Sequence, residues 1–147
     1  MKNHAEIVID AAPLAVWTAF HDVALRPRWQ AAVKRLEIVA GTPGETGFSA
    51  KRLAADGDGI GIESLTESRP GDFAALLIES DQESVLEVHR FEDMGNARTR
   101  WSAWARTRFH GLRRVTALFD ASALRESLAN DMQRLKLLVE SQQAQEE

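Results

Sequence analysis

A chain of 147 residues, 44% hydrophobic and 27% charged, suits one folded domain with a core of its own. Its net charge of −4 excludes bulk attraction to nucleic acid or anionic lipid and leaves only a local basic patch for such partners. The absence of cysteine excludes a disulfide framework, a thiol nucleophile and a thiolate metal site, and it fits a cytoplasmic location.

The opening MKNHAEIVID holds no apolar run long enough for a signal peptide, and no segment approaches the roughly 20 apolar residues of a membrane span. AEIVID, β-branched and short, predicts a strand. APLAVWTAFHD predicts a helix led by Pro13, whose missing N–H costs nothing in a first turn, with Leu14, Val16, Trp17 and Phe20 forming one apolar stripe. Arg26-Pro27 interrupts it and leaves room for a second short helix around Trp29. From Val33 to Phe109 the pattern is β: VKRLEIVAG, FSAKRLAA, IGIESLTESRP, FAALLIESD, SVLEVHRFED and ARTRWSAWARTRF, separated by Gly, Asp and Asn turns, predict an antiparallel meander. After Phe109 the spacing becomes helical, through Leu112, Val115, Leu118 and Phe119 and then Leu128, Met132, Leu135 and Val139. FDAS is expected either to bend this helix or to restart it with Ser122 as cap. The order strand, two short helices, six strands and one long helix predicts a single α+β domain over 1–147: about seven strands in a twisted sheet around the last helix, with 142–147 frayed.

IDAAPLAVWTAFHDVALRPRW resembles the opening of the helix-grip superfamily (START, or SRPBCC), which includes the birch-pollen-allergen fold and the polyketide cyclase/dehydrase branch. GTPGETGF is similar to that fold's glycine-rich loop between the second and third strands. NARTRW resembles its Gly-Thr-Arg approach to the last strand, with Asn96 and Ala97 where glycine is usual, and LANDMQRLKLLVE resembles its closing helix. The resemblance implies a cavity between sheet and helix for a lipid, polyketide or other apolar molecule, with no cofactor; carriers, cyclases and regulators all share the fold.

Along ARTRWSAWARTRF alternate side chains face opposite ways. Thr99, Trp101, Ala103, Ala105, Thr107 and Phe109 form a mostly apolar set, whereas Arg98, Arg100, Arg106 and Arg108 share the other face with Ser102 and Trp104. Beside the first strand, as the resemblance places it, the arginines would meet Glu6 and Asp10 on a wet sheet face. The rival readings are bases stacked on Trp104 in an RNA-binding sheet, or a protein-binding patch centred there. Ala103 and Ala105 are small for mid-strand, which either lets the helix approach or leaves space, and the resemblance favours space.

VLEVHRF carries the sharpest chemical question. With Phe91 inward, His89 and Glu87 form an enclosed pair suited to proton transfer, as candidate catalytic residues. With Leu86 and Val88 inward, the pair lies on the surface. Opposing Phe91 to Thr99 turns His89 inward, against Trp101; a loop one residue different reverses everything, and the resemblance favours Phe91 inward. DGDGIGIESLTE imitates a calcium loop, but Ile60 sits where an oxygen ligand belongs and Glu63 occupies the usual apolar eighth position, so a hairpin turn accounts for it. GTPGETG lacks the ending of a phosphate loop and is expected at a cavity mouth. His4, His21, His89 and His110 have no metal-ligand spacing, so no metal is expected.

The leading expectation is a binder of a small hydrophobic or amphipathic ligand, with Trp29, Phe48, His89, Phe91, Trp101 and Phe119 around it. The alternatives are a cyclase or dehydratase using His89 and Glu87, or a protein or RNA interaction module using Trp104 and its arginines. Nucleic acid and membrane insertion are not expected as partners, and homodimerisation and catalysis are left open.

Overall fold

The computed structural model describes residues 1–111 and 121–146, with side chains in the second stretch from residue 123 onward. β1 (Lys2–Ile9) leads into α1 (Pro13–His21) and α2 (Arg26–Trp29). β2 (Arg35–Ala40), β3 (Ser49–Leu53), β4 (Gly59–Arg69), β5 (Phe73–Glu79), β6 (Glu83–Gly95) and β7 (Arg98–Phe109) follow, and α3 (Ala121–Glu146) closes the chain. The strands form one antiparallel seven-stranded sheet in the order β1-β7-β6-β5-β4-β3-β2, so the meander folds back to pair the last strand with the first. This is the α+β helix-grip arrangement predicted from the sequence. Register shifts in β2–β3, β3–β4, β4–β5 and β6–β7 mark bulges, which increase twist and bend the sheet around α3.

Proline opens α1 where no N–H is needed, and the buried side is Val16, Ala19, Phe20 and His21. The expected apolar stripe is corrected at Leu14, which lies 58% exposed beside Gly71 of the β4–β5 turn. A nine-residue helix has one buried side, and Phe20 claims it by meeting Trp29, Phe91 and Trp101 at ring distances of 5.6, 5.7 and 5.9 Å. On α3, Met132, Leu135 and Val139 repeat at helical spacing and are buried in the same core. Lys136 donates to the Val8 carbonyl at 2.9 Å, Glu140 accepts from the Asp10 N–H at 2.8 Å, and Arg134 donates to the Trp29 carbonyl at 2.9 Å. The helix is thus tied to β1 on one side and α2 on the other. It runs through the polar SQQAQE to Glu146. Leu112, Val115, Leu118 and Phe119 lie outside the described residues, as does the side chain of Ser122. Among the described residues, no helix is long and apolar enough to cross a membrane.

The alternation of β7 holds. Thr99, Trp101, Ala103, Thr107 and Phe109 are buried, while Arg98, Trp104, Arg106 and Arg108 are exposed. On the wet face Arg98 bonds Asp10 at 3.2 Å. Arg100 reaches Glu92 of β6 rather than an acid of β1, because Glu6 stands opposite Ser102 and accepts its hydroxyl at 3.4 Å.

The β6–β7 hairpin corrects the expected register while keeping its parity. Phe91 faces Trp101 rather than Thr99, and His89 faces Ala103. Asn96 and Ala97 form the two-residue turn, both left-handed at φ 55° and 54°, with Gly95 paired to Arg98. Counted back from that pair without interruption, His89 would oppose Trp104 and point at solvent. Met94, the extra residue between the Asp93–Thr99 and Gly95–Arg98 pairs, shifts the register by one and turns His89 inward.

A left-handed alanine costs about 1 kcal/mol that glycine avoids. Ala97→Gly is therefore expected to stabilise the protein by about 1 kcal/mol and raise Tm by about 3 °C, read by thermal unfolding. An unchanged or lower Tm would show that the turn carries no such strain.

Candidate functional site

β6 sends Val85, Glu87, His89 and Phe91 to the concave side of the sheet, where β7 supplies Thr107, Ala105, Ala103 and Trp101 as their direct neighbours. His89 is almost completely buried, with Phe20 4.6 Å from its ring. The Trp101 indole donates to His89 Nδ1 at 3.1 Å, and Nε2 lies 2.8 Å from Glu87 Oε1. An indole N–H can only donate, so Nδ1 is an acceptor and the ring proton sits on Nε2, where it is given to Glu87. Both nitrogens of His89 are committed. Burial pushes the Glu87 carboxyl up, but the His89 hydrogen bond, with the charges of Arg52 and Arg26, brings it down to about 2. The pair is an ionised carboxylate held by a fixed imidazole.

A second polar chain crosses the same interior. Glu63 on β4 has 0% exposure and accepts from Arg26 Nη1 at 2.6 Å, Arg26 Nη2 at 3.2 Å and Arg52 Nε at 2.9 Å. Burial alone would raise its pKa, and the two guanidinium groups more than reverse that. Arg26, on α2, also donates to Gln30 Oε1 at 3.2 Å and lies over the rings of Trp29 and Phe20, 5.4 and 5.8 Å from their centroids. On α3, Asp131 accepts from the Ala31 N–H and from Arg134, and burial nonetheless raises its pKa.

Between these chains and α3 lies a cavity of about 300 Å³. Its apolar wall includes Phe20, Trp29, Leu76, Trp101, Ala105 and Leu128, and its polar wall is Arg26, Arg52, Glu87, His89 and Asp131. Ile60 of β4, Ser80 of the β5–β6 turn and Glu83 of β6 border it together with Leu124 and Ser127 of α3. Ala105 borders the space and Ala103 is packed away beside His89, so one of the two small residues opens room and the other lets the wall close. The lining is amphipathic rather than purely apolar.

Of the residues singled out from sequence, Trp29, His89 and Trp101 line this cavity, as does Glu87. Phe48 and Phe91 do not: both are buried in the core cluster, Phe91 stacked on Trp101 at 6.1 Å. An inward aromatic serves a core as readily as a cavity wall. Phe119 lies outside the described residues. GTPGETG is not at the cavity. Gly44 sits over Trp17, where an added Cβ would stand 3.1 Å from Cη2, and its carbonyl accepts from Ser68 at 2.7 Å. DGDG forms the β3–β4 hairpin turn, with Asp56 accepting the Asp58 N–H at 2.9 Å. Trp104 is 42% exposed on the convex side and stacks on His4 at 5.0 Å, away from the cavity.

Arg26, Arg52, Glu63 and Asp131 were missed. Two of them carried a signal: Glu63 shares strand parity with buried Leu65, and Arg52 with buried Ala50. A charge on an otherwise apolar face points to a buried partner.

His21 gives the interior a pH dependence of its own. Burial, then the Arg26 charge, holds His21 down to about 4, and its Nε2 has no partner. The folded value lies below the ordinary 6.5, so stability from the neutral ring is full above 6.5 and is lost as pH falls to 4, about 3 kcal/mol in all. Glu87 adds a second loss of similar size as pH falls from 4.5 to 2. Urea unfolding from pH 7 to 2 is expected to show both declines. His21→Gln should flatten only the first and Glu87→Gln only the second, and a decline that survives its variant would refute the assignment.

No curated protein matches the sequence. Solved structures share the fold. TTHA0849 from Thermus thermophilus superposes with a TM-score of 0.75 at 17% identity, over 96% of this chain and 98% of that one. Ara h 8.0201 gives 0.70 at 16% identity, over 96% and 98%. The di-domain ARO/CYC BexL from the BE-7585A biosynthetic pathway gives 0.76 at 16% identity, over 95% of this chain and 46% of its own. The sequence itself is matched by one family description, polyketide cyclase/dehydrase and lipid transport, over residues 2–140. That match runs from the first strand to the end of the buried stretch of α3, and the chain belongs to this family.

Proposed function

We propose that the protein binds a small amphipathic molecule in the cavity between the sheet and α3. The observation that carries the reading is the cavity itself, about 300 Å³ with aromatic and aliphatic walls and a few fixed polar groups. This is the lower end of the size range of small-molecule sites and of the same chemical make-up. It would hold a compact ligand of two or three fused rings, or a short bent chain, and burial of apolar surface would supply roughly 25 cal/mol per Å² before association costs. Trp29 and Trp101 would contact the apolar body, and Glu87 would accept a hydrogen bond from a ligand hydroxyl. Phe48 and Phe91 would support the wall from behind.

The state of His89 favours binding over its use as a base. Its Nδ1 lone pair is occupied by Trp101, and its Nε2 proton is already given to a carboxylate of low basicity. A cyclase or dehydratase reading would have to use Glu87 through the oxygen that His89 leaves free.

N-phenyl-1-naphthylamine, an uncharged apolar dye, is expected to bind with a rise in its fluorescence and quenching of tryptophan emission. Ala105→Leu, which places a larger side chain in the cavity, should weaken binding at least tenfold with an unchanged circular dichroism spectrum. Equal dye affinity in that variant would move the site elsewhere, and no dye binding to the folded protein would end the proposal.

A further inference from the structure

We infer that the cavity selects ligands bearing a carboxylate-type anion, held by the terminal N–H groups of Arg52; this rests on the cavity being the binding site. The inference begins with a count of donors and acceptors. Glu63 accepts three guanidinium bonds with its two oxygens, two from Arg26 and one from Arg52. Arg52 commits only Nε to this cluster, and its two terminal nitrogens, with four N–H donors, have no partner among the described residues. The side chain is 12% exposed, and Arg52 lines the cavity. Donors that face a cavity are met only by what enters it, and a planar fork of this kind matches a carboxylate with two parallel hydrogen bonds.

The charge count points the same way. Two guanidinium groups share one carboxylate, so the Arg26–Glu63–Arg52 cluster carries a net single positive charge inside the protein. No other carboxylate of the described residues lies within 4 Å of Arg26 or Arg52: Glu87 is bonded to His89, and Asp131 is taken by Arg134 and the Ala31 N–H. Glu87 stands on β6 and Arg52 on β3, three strand spacings apart in the sheet order, about 14 Å at the backbone. The cavity lining therefore carries the cluster's surplus positive charge toward β3 and the Glu87 carboxylate on β6, close enough for the Arg52 charge to act on it. A ligand with an acidic end and a hydroxyl or other donor at its far end would lie along that axis.

The test uses two probes of nearly equal shape, 2-naphthoate and uncharged 2-naphthamide, each displacing N-phenyl-1-naphthylamine from the wild-type protein at pH 7. The naphthoate is expected to displace the dye at a concentration at least tenfold lower. In Arg52→Gln that preference should shrink to within twofold, and in Arg52→Lys, which keeps the charge but loses the fork, it should be intermediate. Equal displacement by the two probes in wild type, a preference that survives Arg52→Gln, or failure of both probes to displace a bound dye would overturn the anion anchor and leave the cavity reading standing. Failure of the dye to bind at all would overturn both. The wild-type probe ratio decides the matter even if Arg52→Gln does not fold.

Discussion

A carboxylate removed from water must either take up a proton or be surrounded by cations, and Glu63 is surrounded. Its position in mid-β4 brings Arg26 from α2 and Arg52 from β3 onto the same pair of oxygens, joining three elements that share no local sequence. Loss of one partner from such a cluster typically costs about 3–5 kcal/mol, because the remaining charge stays buried. The cluster fixes α2 and holds Trp29 beneath the Arg26 guanidinium, which sets one wall of the cavity.

The second wall follows from side-chain volume. His89 and Glu87 stand opposite Ala103 and Ala105, and on the other side opposite Ala74 and Leu76. Small neighbours leave room for the imidazole between Phe20 and Trp101, tilted 52° and 33° to their rings, while the carboxylate reaches the open space. Larger β-branched residues at 103 and 105 would fill that room, as they do in ordinary sheets packed on a helix. The aromatic cluster of Phe20, Trp29, Phe91 and Trp101 then bears the packing that the missing volume would otherwise supply.

Much of the fold was legible in the sequence because it depends on periodicity. Alternation in Arg98–Phe109 named the buried and wet faces, and the element order named the architecture. The site was legible only in part. His89 and Glu87 were readable as a pair, but their direction depends on a bulge whose presence no propensity announces. The Arg26–Glu63 bond spans 37 positions, so nothing local links its partners; Arg26 looked like a loop residue before a proline. Phe48 and Phe91 show the opposite failure: both are buried, yet an inward aromatic alone cannot separate a cavity lining from the layer packed behind it. Leu14 was misread because helical spacing fixes a stripe without saying which of its members the sheet covers.

Met94 points to where this architecture is most easily rewritten. Were that single amino acid taken into the ladder opposite Thr99 instead of bulging out, the whole of β6 would turn over relative to β7, bringing Leu86, Val88 and Arg90 indoors and expelling Glu87, His89 and Phe91. Every lining side chain contributed by this strand would be exchanged at once, with no substitution anywhere along it. The bulge in a remote hairpin therefore decides the chemistry of the chamber wholesale, and two chains identical in letters along this strand could hold a histidine that faces opposite worlds.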